Sequence, residues 1–387
     1  MTQSLSPIVG CRVCGRPLFE EPLFRFEGMP SVAQHFPDDA DLAGDHGTDF
    51  DVEQCTGCGL VQLTCEPVPY FRDVIRAAAV SPEMAEYRGH QFSRFVEKFG
   101  LTGQRIVEVG CGEGEYLQWL SRTGAVASGL EHGARAVEAC RRKGLHVLRG
   151  FADSTLGEIP GAPYSGFLML SCLEHLPDVN GTLGCVHRSL AREAVGLVEV
   201  PNFDMLLRER SVVEFMTDHL LYFTGQTLET TLQANGFEVL DCRATWHDYI
   251  LSATVRKRSP HDVRGFHRVT AAVKRDVDDF LGRLPGRSVA IWGAGHQALA
   301  AIVLHELADR VAYVVDSAEF KQGRFTPGTH LPVRSPEQLK ADPAIRGVIV
   351  IGGGYSDEIA LTLKREFPQS LSLAILRPAA LELVSGP

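Results

Sequence analysis

Hydrophobic positions in the middle of the chain come in short unbroken runs separated by amphipathic stretches. IVEV (106–109), AVASGLEHG (125–133), GFLMLSCLEHL (166–176) and AVGLVEVPN (194–202) read as buried strands, whereas EYLQWLSRTG (115–124) repeats its apolar positions at helical spacing. Such alternation predicts βαβ units and a parallel sheet. After ATVRKRSPHD the character changes. GFHRVTAAVKRDVDDFLGRL (265–284) has helical periodicity, RSVAIWGAGHQAL (287–299) starts a strand, glycine turn and helix, and RVAYVVD (310–316) and GVIVIGG (347–353) add strands. A chain of 387 residues is too long for one compact core. The expected architecture is α/β in three parts: a small module of residues 1–67, a doubly wound sheet domain of 68–258, and a Rossmann-like α/β domain of 259–387 with a leading helix.

The front module is marked by Cys11-Arg-Val-Cys14-Gly15 and Cys55-Thr-Gly-Cys58-Gly59. Two residues between thiolates let both sulfurs reach one tetrahedral ion, and the glycine after each pair frees backbone amides to turn towards them. Two such knuckles predict a structural zinc site of Cys11, Cys14, Cys55 and Cys58. Its closed shell leaves no position for substrate, so the ion holds residues 1–67 together and does not act as a Lewis acid. Cys65 reads as a small buried residue, and His35 and His46 as surface or substrate-side histidines. The stretch between the knuckles reads as a loop-bearing insert on a β-ribbon.

The glycine loop after the first strand of the middle domain is Gly110-Cys-Gly112-Glu-Gly114. Its third glycine falls one residue short of the dinucleotide spacing, position 115 being Glu, and Glu108 and Glu113 flank it. Carboxylates there oppose a pyrophosphate and suit a cation, which points to S-adenosylmethionine, a sulfonium and ammonium without phosphate. Glu131, at the end of the next strand, stands where an acid accepts a ribose diol, and Phe151 and Asp153 stand where adenine would lie. The expected cofactor set is Glu108, Gly110, Gly112, Gly114, Tyr116, Glu131, Phe151, Ala152, Ser171, Glu174 and His175. In the last domain Gly293-Ala-Gly295 lacks a third glycine at the expected place, leaving open an NAD site, and with it an oxidoreductase, or a sheet scaffold without a dinucleotide.

A net charge of -10 argues against a nucleic-acid partner, which would need clustered Lys and Arg, and favours a small-molecule substrate. No segment approaches the roughly 20 apolar residues of a membrane helix, and the first residues resemble no leader, so a cytoplasmic monomer or homodimer is expected. Within FMTDHLLYF (215–223), Asp218-His219 sits in an apolar run, where a histidine is either a base or a core residue with a satisfied ring.

CRVCG and CTGCGLVQL, VEVGCGEGEYL, DHLLYF, and then WGAG, VVD, KQGRFTPGTHLPV and YSDEI together resemble the three-domain sugar C-methyltransferases. That family acts on nucleotide-linked 4-keto deoxysugars in antibiotic pathways. The resemblance covers nearly the whole chain. It implies a class I methyltransferase fold for 68–258 and C-methylation beside a carbonyl of a keto-deoxysugar. It also implies that His219 is the general base, with Asp218, His175 and Tyr222 in the catalytic group. An imidazole near its reference pKa of about 6.5 can take such a proton at neutral pH. Arg76, Lys321 and Arg324 are candidates for phosphate or carboxylate contacts, and His247 is a lesser site candidate. Departures fall where substrate should sit: Met216 replaces a tyrosine, DVIRAAAVSPEM (73–84) lacks tyrosines, and His247-Asp248-Tyr249-Ile250 stands for His-Gly-Gly-Ser. These changes suit an alternative, an N- or O-methyltransferase acting on a small polar metabolite or amino acid derivative. A non-catalytic scaffold that only binds S-adenosylmethionine is the remaining reading.

Overall fold

The computed structural model describes residues 10–34, 36–73, 80–366 and 371–385. They form two compact units, Met1–Ser259 and Pro260–Pro387. In the first unit the strands are β1 (Phe24–Met29), β2 (Thr48–Gln54), β3 (Val61–Leu63), β4 (Arg105–Val109), β5 (Val126–Glu131) and β6 (Val147–Arg149). They continue with β7 (Tyr164–Leu170), β8 (Leu190–Pro201), β9 (Leu221–Tyr222), β10 (Phe237–Thr245) and β11 (Ile250–Lys257). Its helices are α1 (Pro82–Lys98), α2 (Glu115–Ser121), α3 (Ala134–Arg142), α4 (Val179–Arg188), α5 (Phe203–Glu209) and α6 (Gly225–Ala234).

The main sheet has the order β10-β11-β8-β7-β4-β5-β6. Strands β4 to β8 run parallel, and β11 is antiparallel to both β8 and β10. Its faces separate by the two-residue period of a strand. Phe167 and Met169 of β7 join one core with Val107, Leu183 and Phe237, while Leu168 and Leu170 join the other with Ile106, Phe92 and Leu117. Burial on both faces explains why these strands are near-continuous apolar runs. The order reverses between β4 and β7, where open α/β sheets hold ligands beyond the carboxyl ends of their strands. This is the doubly wound sheet expected for residues 68–258.

A second, antiparallel sheet has the order β1-β2-β3-β9. The cysteine-bearing ribbon thus pairs, through β3, with the two residues that follow Leu220. Leu63 N–H donates to Leu220 O at 2.9 Å, and Val61 stands opposite Tyr222. Gln62, wholly buried, accepts from Arg12 N–H at 2.9 Å and donates to Gly10 O at 3.2 Å, fixing the first knuckle to the ribbon. The position 67/68 therefore falls inside one compact unit, whose core runs from Cys11, Cys55 and Leu60 to Leu220, Leu221 and Phe223.

The second unit begins with α7 (Arg264–Gly282) and continues with β12 (Val289–Trp292), α8 (His296–Leu304), β13 (Val314–Val315), β14 (Val333–Arg334) and α9 (Pro336–Lys340). It ends with β15 (Gly347–Val350), α10 (Ser356–Glu366), β16 (Ser372–Leu376) and β17 (Leu381–Ser385). The sheet order β14-β13-β12-β15-β16-β17 is parallel except at β17. Gly293 has φ 112°, and a Cβ there would lie 2.4 Å from Ile351 O, so only glycine allows that turn to approach β15. Asp316, after β13, accepts from Ala294 and Ala318 N–H and from Lys321 Nζ, the last at 2.8 Å. Lys321, a candidate phosphate contact by sequence, is thus bound within its own unit, and Arg324 is exposed. Among the described residues no helix is long and apolar enough to cross a membrane.

Candidate active site

The turn after β4 has three residues in the left-handed region, Gly110, Gly112 and Gly114, at φ 72°, 53° and 83°. Each has a different reason to lack a side chain. A Cβ at Gly114 would meet Leu145 Cδ1 at 2.5 Å and Cys140 Sγ at 2.9 Å, and one at Gly110 would meet Cys172 Sγ at 3.2 Å. At Gly112 a Cβ would enter open space, so that side of the loop is free for a ligand. Glu131 lies across it and is 7% exposed. Its carboxylate accepts from Gly112 N–H at 2.9 Å and Gly133 N–H at 2.7 Å. A carboxylate has about four acceptor sites, so lone pairs remain available to a ligand. Burial raises its pKa and those amide bonds oppose the rise.

Tyr116 is buried on α2 against Phe92 and Trp119, and Ala152 is buried in the loop after β6. Glu108 is buried in β4, and Ser171, after β7, has φ 49° and donates its N–H to Glu199 O. Phe151 packs edge-on against Phe71 and His132, with the Arg72 guanidinium 4.9 Å from its centroid. Asp153 is used locally. The Thr155 hydroxyl, foremost, together with nearby amides, lowers its pKa, and Arg72 lies 3.6 Å away. Asp73 meets His132 Nδ1 at 2.7 Å. The clamp of Phe71, Arg72 and Asp73 had no signal in the sequence, because its partners lie 59 to 81 residues away.

Behind this shelf Arg88 of α1 is ion-paired with Glu199 of β8, both buried, with Gln91 and Ser252 completing the carboxylate's bonds. Arg88 also lies 4.7 Å from the centroid of Tyr116. Burial works against its charge, yet Glu199 holds the guanidinium protonated. An arginine in a polar-looking helix gives no hint of such burial.

The third group joins the turn Leu173–His175 to the loop before β9. His175 Nδ1 lies 2.6 Å from Asp218 O, and Leu220 N–H donates to Glu174 O at 2.8 Å. The rings of His175 and His219 meet edge to face, 4.7 Å between centroids. Burial, then the charge of His175, lowers the His219 pKa to about 3. Its ring nitrogens have no hydrogen-bond partner among the described residues. Glu174 is 1% exposed, with Oε1 3.8 Å from His175 Nε2 and Oε2 buried without a hydrogen-bond partner among the described residues; burial pushes its pKa up. The Asp218 carboxylate turns away from His219. It accepts from the Tyr70 hydroxyl at 3.0 Å and from Ala33 N–H at 3.1 Å, while the main-chain carbonyl of Asp218 orients His175. The Tyr222 hydroxyl is occupied by the loop backbone, accepting from Met216 N–H at 3.1 Å, and its ring packs on Phe215 and Phe203.

At the front, Cys11 Sγ lies 3.6 Å from Cys58 Sγ and Cys14 Sγ 3.4 Å from Cys55 Sγ, and all four sulfurs lie within 4.8 Å of one another. Gly15 and Gly59 adopt φ 70° and 80°, and the amides of Val13, Gly57 and Cys58 point at the sulfurs. A tetrahedral ion with sulfurs about 2.3 Å away fits this donor set. Cys65 is half-buried against the core, and His46 is exposed.

A model described as "Methyltransferase domain" matches residues 84–241, and one described as "C-methyltransferase C-terminal domain" matches residues 253–366. The chain is an S-adenosylmethionine-dependent methyltransferase. The C-methyltransferase NovU of Streptomyces niveus is 26% identical to this enzyme over 377 residues, covering 87% of this chain and 88% of the relative. A ubiquinone biosynthesis O-methyltransferase of Hahella chejuensis is 32% identical over 87 residues, 21% of this chain and 37% of that protein. Among solved structures, magnesium protoporphyrin IX methyltransferase from Synechocystis PCC 6803 with bound SAH aligns over 48% of the enzyme and 90% of its own chain, at 16% identity and a TM-score of 0.37.

Of the remaining candidates, His247 is exposed and paired with Glu83 at 2.9 Å. Trp246, His247 and Asp248 all have positive φ, a costly run for residues that are not glycine. His35 and Arg76 lie outside the described residues.

Proposed function

We propose that the enzyme methylates carbon next to a carbonyl of a nucleotide-linked keto-deoxysugar in natural-product biosynthesis, with His219 as the general base. One observation carries this reading: an imidazole without a hydrogen-bond partner among the described residues stands edge to face with His175, in the Asp-His-Leu-Leu-Tyr-Phe segment that resembles the sugar C-methyltransferases. Similarity to a named C-methyltransferase over most of both chains supports the carbon acceptor.

Burial lowers the His219 pKa, which leaves its lone pair available near neutral pH and makes the imidazolium costly to form. Negative charge developing on the substrate carbonyl offsets that cost, since an anion beside the ring raises its basicity as the proton moves. His175 fixes the position of His219 by ring contact. Asp218 ties the loop to Tyr70 and Ala33, and Tyr222 braces it from behind. Gly110, Gly112, Gly114, Glu131, Phe151 and Ala152 would hold the cofactor, with Glu108, Tyr116, Ser171 and Glu174 around its charged end. S-adenosylmethionine bound there supplies a methyl group made electrophilic by its sulfonium. The four front cysteines hold a structural zinc ion that fixes β3 and, through it, the loop carrying His219.

The test is exchange of the hydrogen at C3 of a 4-keto sugar nucleotide for deuterium, in heavy water with S-adenosylhomocysteine present. Wild type should exchange, and His219→Gln should not, while still binding S-adenosylhomocysteine. Exchange that persists in His219→Gln removes the base assignment. Neither exchange nor methyl transfer on any keto sugar would remove the substrate class.

The loop Trp246–Asp248 favours a second reading. Side chains replace the glycines of the related segment there, Asp248 is tied to Arg208 and Asn202, and Tyr249 is bound to Glu214 at 2.9 Å. Such filling suits a smaller polar acceptor methylated on nitrogen or oxygen, which a panel of amines and hydroxyl compounds would test.

A further inference from the structure

Two imidazoles and a carboxylate converge where β7 ends. One ligand atom from each of Glu174, His175 and His219 lies within 4.8 Å of the others. Borderline divalent ions take two histidines and one carboxylate, with contacts of about 2.0–2.2 Å. Three features make this more than a polar cluster. His175 Nδ1 is engaged with Asp218 O at 2.6 Å, so its N–H sits there and its Nε2 lone pair faces Glu174 Oε1, 3.8 Å away. A carbonyl on the far nitrogen is the partner that metal-binding histidines usually carry. Glu174 Oε2 is buried, without a hydrogen-bond partner among the described residues, on a residue only 1% exposed. His219, held against His175 at 4.7 Å, has both ring nitrogens free of hydrogen bonds among the described residues.

We propose that Glu174, His175 and His219 bind one divalent transition ion of the zinc, cobalt or nickel class. Magnesium is disfavoured, because it prefers an all-oxygen shell and retains several waters. The site is separate from the four cysteines, which close their own shell. Binding itself does not depend on the function assigned to His219. One consequence does rest on that reading: the lone pair that takes the substrate proton is the one the ion uses, so the bound ion blocks turnover.

The experiment titrates full-length enzyme carrying one equivalent of zinc with cobalt(II), following visible absorption and bound metal. One further equivalent should bind with d–d bands and without the thiolate charge-transfer band that exchange at the cysteines would produce. His175→Gln and Glu174→Gln should weaken that equivalent by about tenfold or more. Each variant is first checked for an unchanged thermal midpoint, with Glu174→Asp as the variant expected to regain binding if Glu174→Gln fails to fold. No bound cobalt beyond the cysteine site, or equal binding by wild type and the folded variants, overturns the proposal. Cobalt that binds as expected and accelerates methyl transfer would keep the site and remove the base assignment, so the two inferences fail separately.

Discussion

Alanine at Gly112 and at Gly114 should separate what the loop does for the fold from what it does for the ligand. Both residues lie in the left-handed region, at φ 53° and 83°. That conformation costs an alanine about 1–2 kcal/mol. At Gly114 the new methyl would also meet Leu145 Cδ1 at 2.5 Å and Cys140 Sγ at 2.9 Å, and overpacking of this kind adds about 1–3 kcal/mol. Gly114→Ala should therefore lose about 2–5 kcal/mol in urea unfolding, and Gly112→Ala only about 1–2 kcal/mol. Binding should show the reverse emphasis. The Gly112 methyl enters the open side of the loop, opposite Glu131, so titration calorimetry with S-adenosylhomocysteine should show affinity reduced by about tenfold, equivalent to about 1.4 kcal/mol. Unchanged affinity in a folded Gly112→Ala protein would refute the placement of the cofactor on this loop. Equal stability of the two variants would refute the packing argument.

Removing zinc with a chelator should release one equivalent of metal and lower the unfolding temperature, with faster amide exchange in Val61–Leu63 and Leu221–Tyr222; unchanged exchange in β9 would show that the knuckles do not support it. Arg88→Met should cost about 3–5 kcal/mol, because Glu199 is left buried and charged, and adding Glu199→Gln should recover part of that loss in urea unfolding. Burial, then the charge of Lys257, depresses the His187 pKa below 6.5. The unfolded chain therefore takes up that proton first, and His187 destabilises the enzyme as pH falls below about 6.5. His187→Gln should be less sensitive to pH in that range than wild type, and parallel stability curves would refute it.

The cofactor sheet was legible because its evidence is local. Phe167 to Leu170 are apolar without a break, since both faces of β7 are covered, and the glycines stand next to the strand they follow. The cysteine pairs were legible for the same reason, two residues setting each half of the cluster. The histidine site was only half legible. His175 and Asp218 are 43 residues apart and meet through a main-chain carbonyl, which no side-chain pattern encodes. Strand β9 has two residues, too short for any periodicity, yet it decides where His219 stands. Asp218 reads as the histidine's partner by adjacency, and the fold turns its carboxylate instead towards Tyr70 and Ala33.

The pairing of β3 with β9 limits how this protein can be divided or exchanged with its relatives. A chain starting at residue 68 would keep every cofactor contact expected from the sequence. It would lose the strand opposite Leu221–Tyr222, the bond from Leu63 to Leu220 and the Ala33 amide on Asp218. Such a truncated protein should bind the methyl donor and fail to transfer from it. A front ribbon transplanted from another member would likewise have to arrive with its own 214–223 loop, because the two inherit one hydrogen-bond ladder.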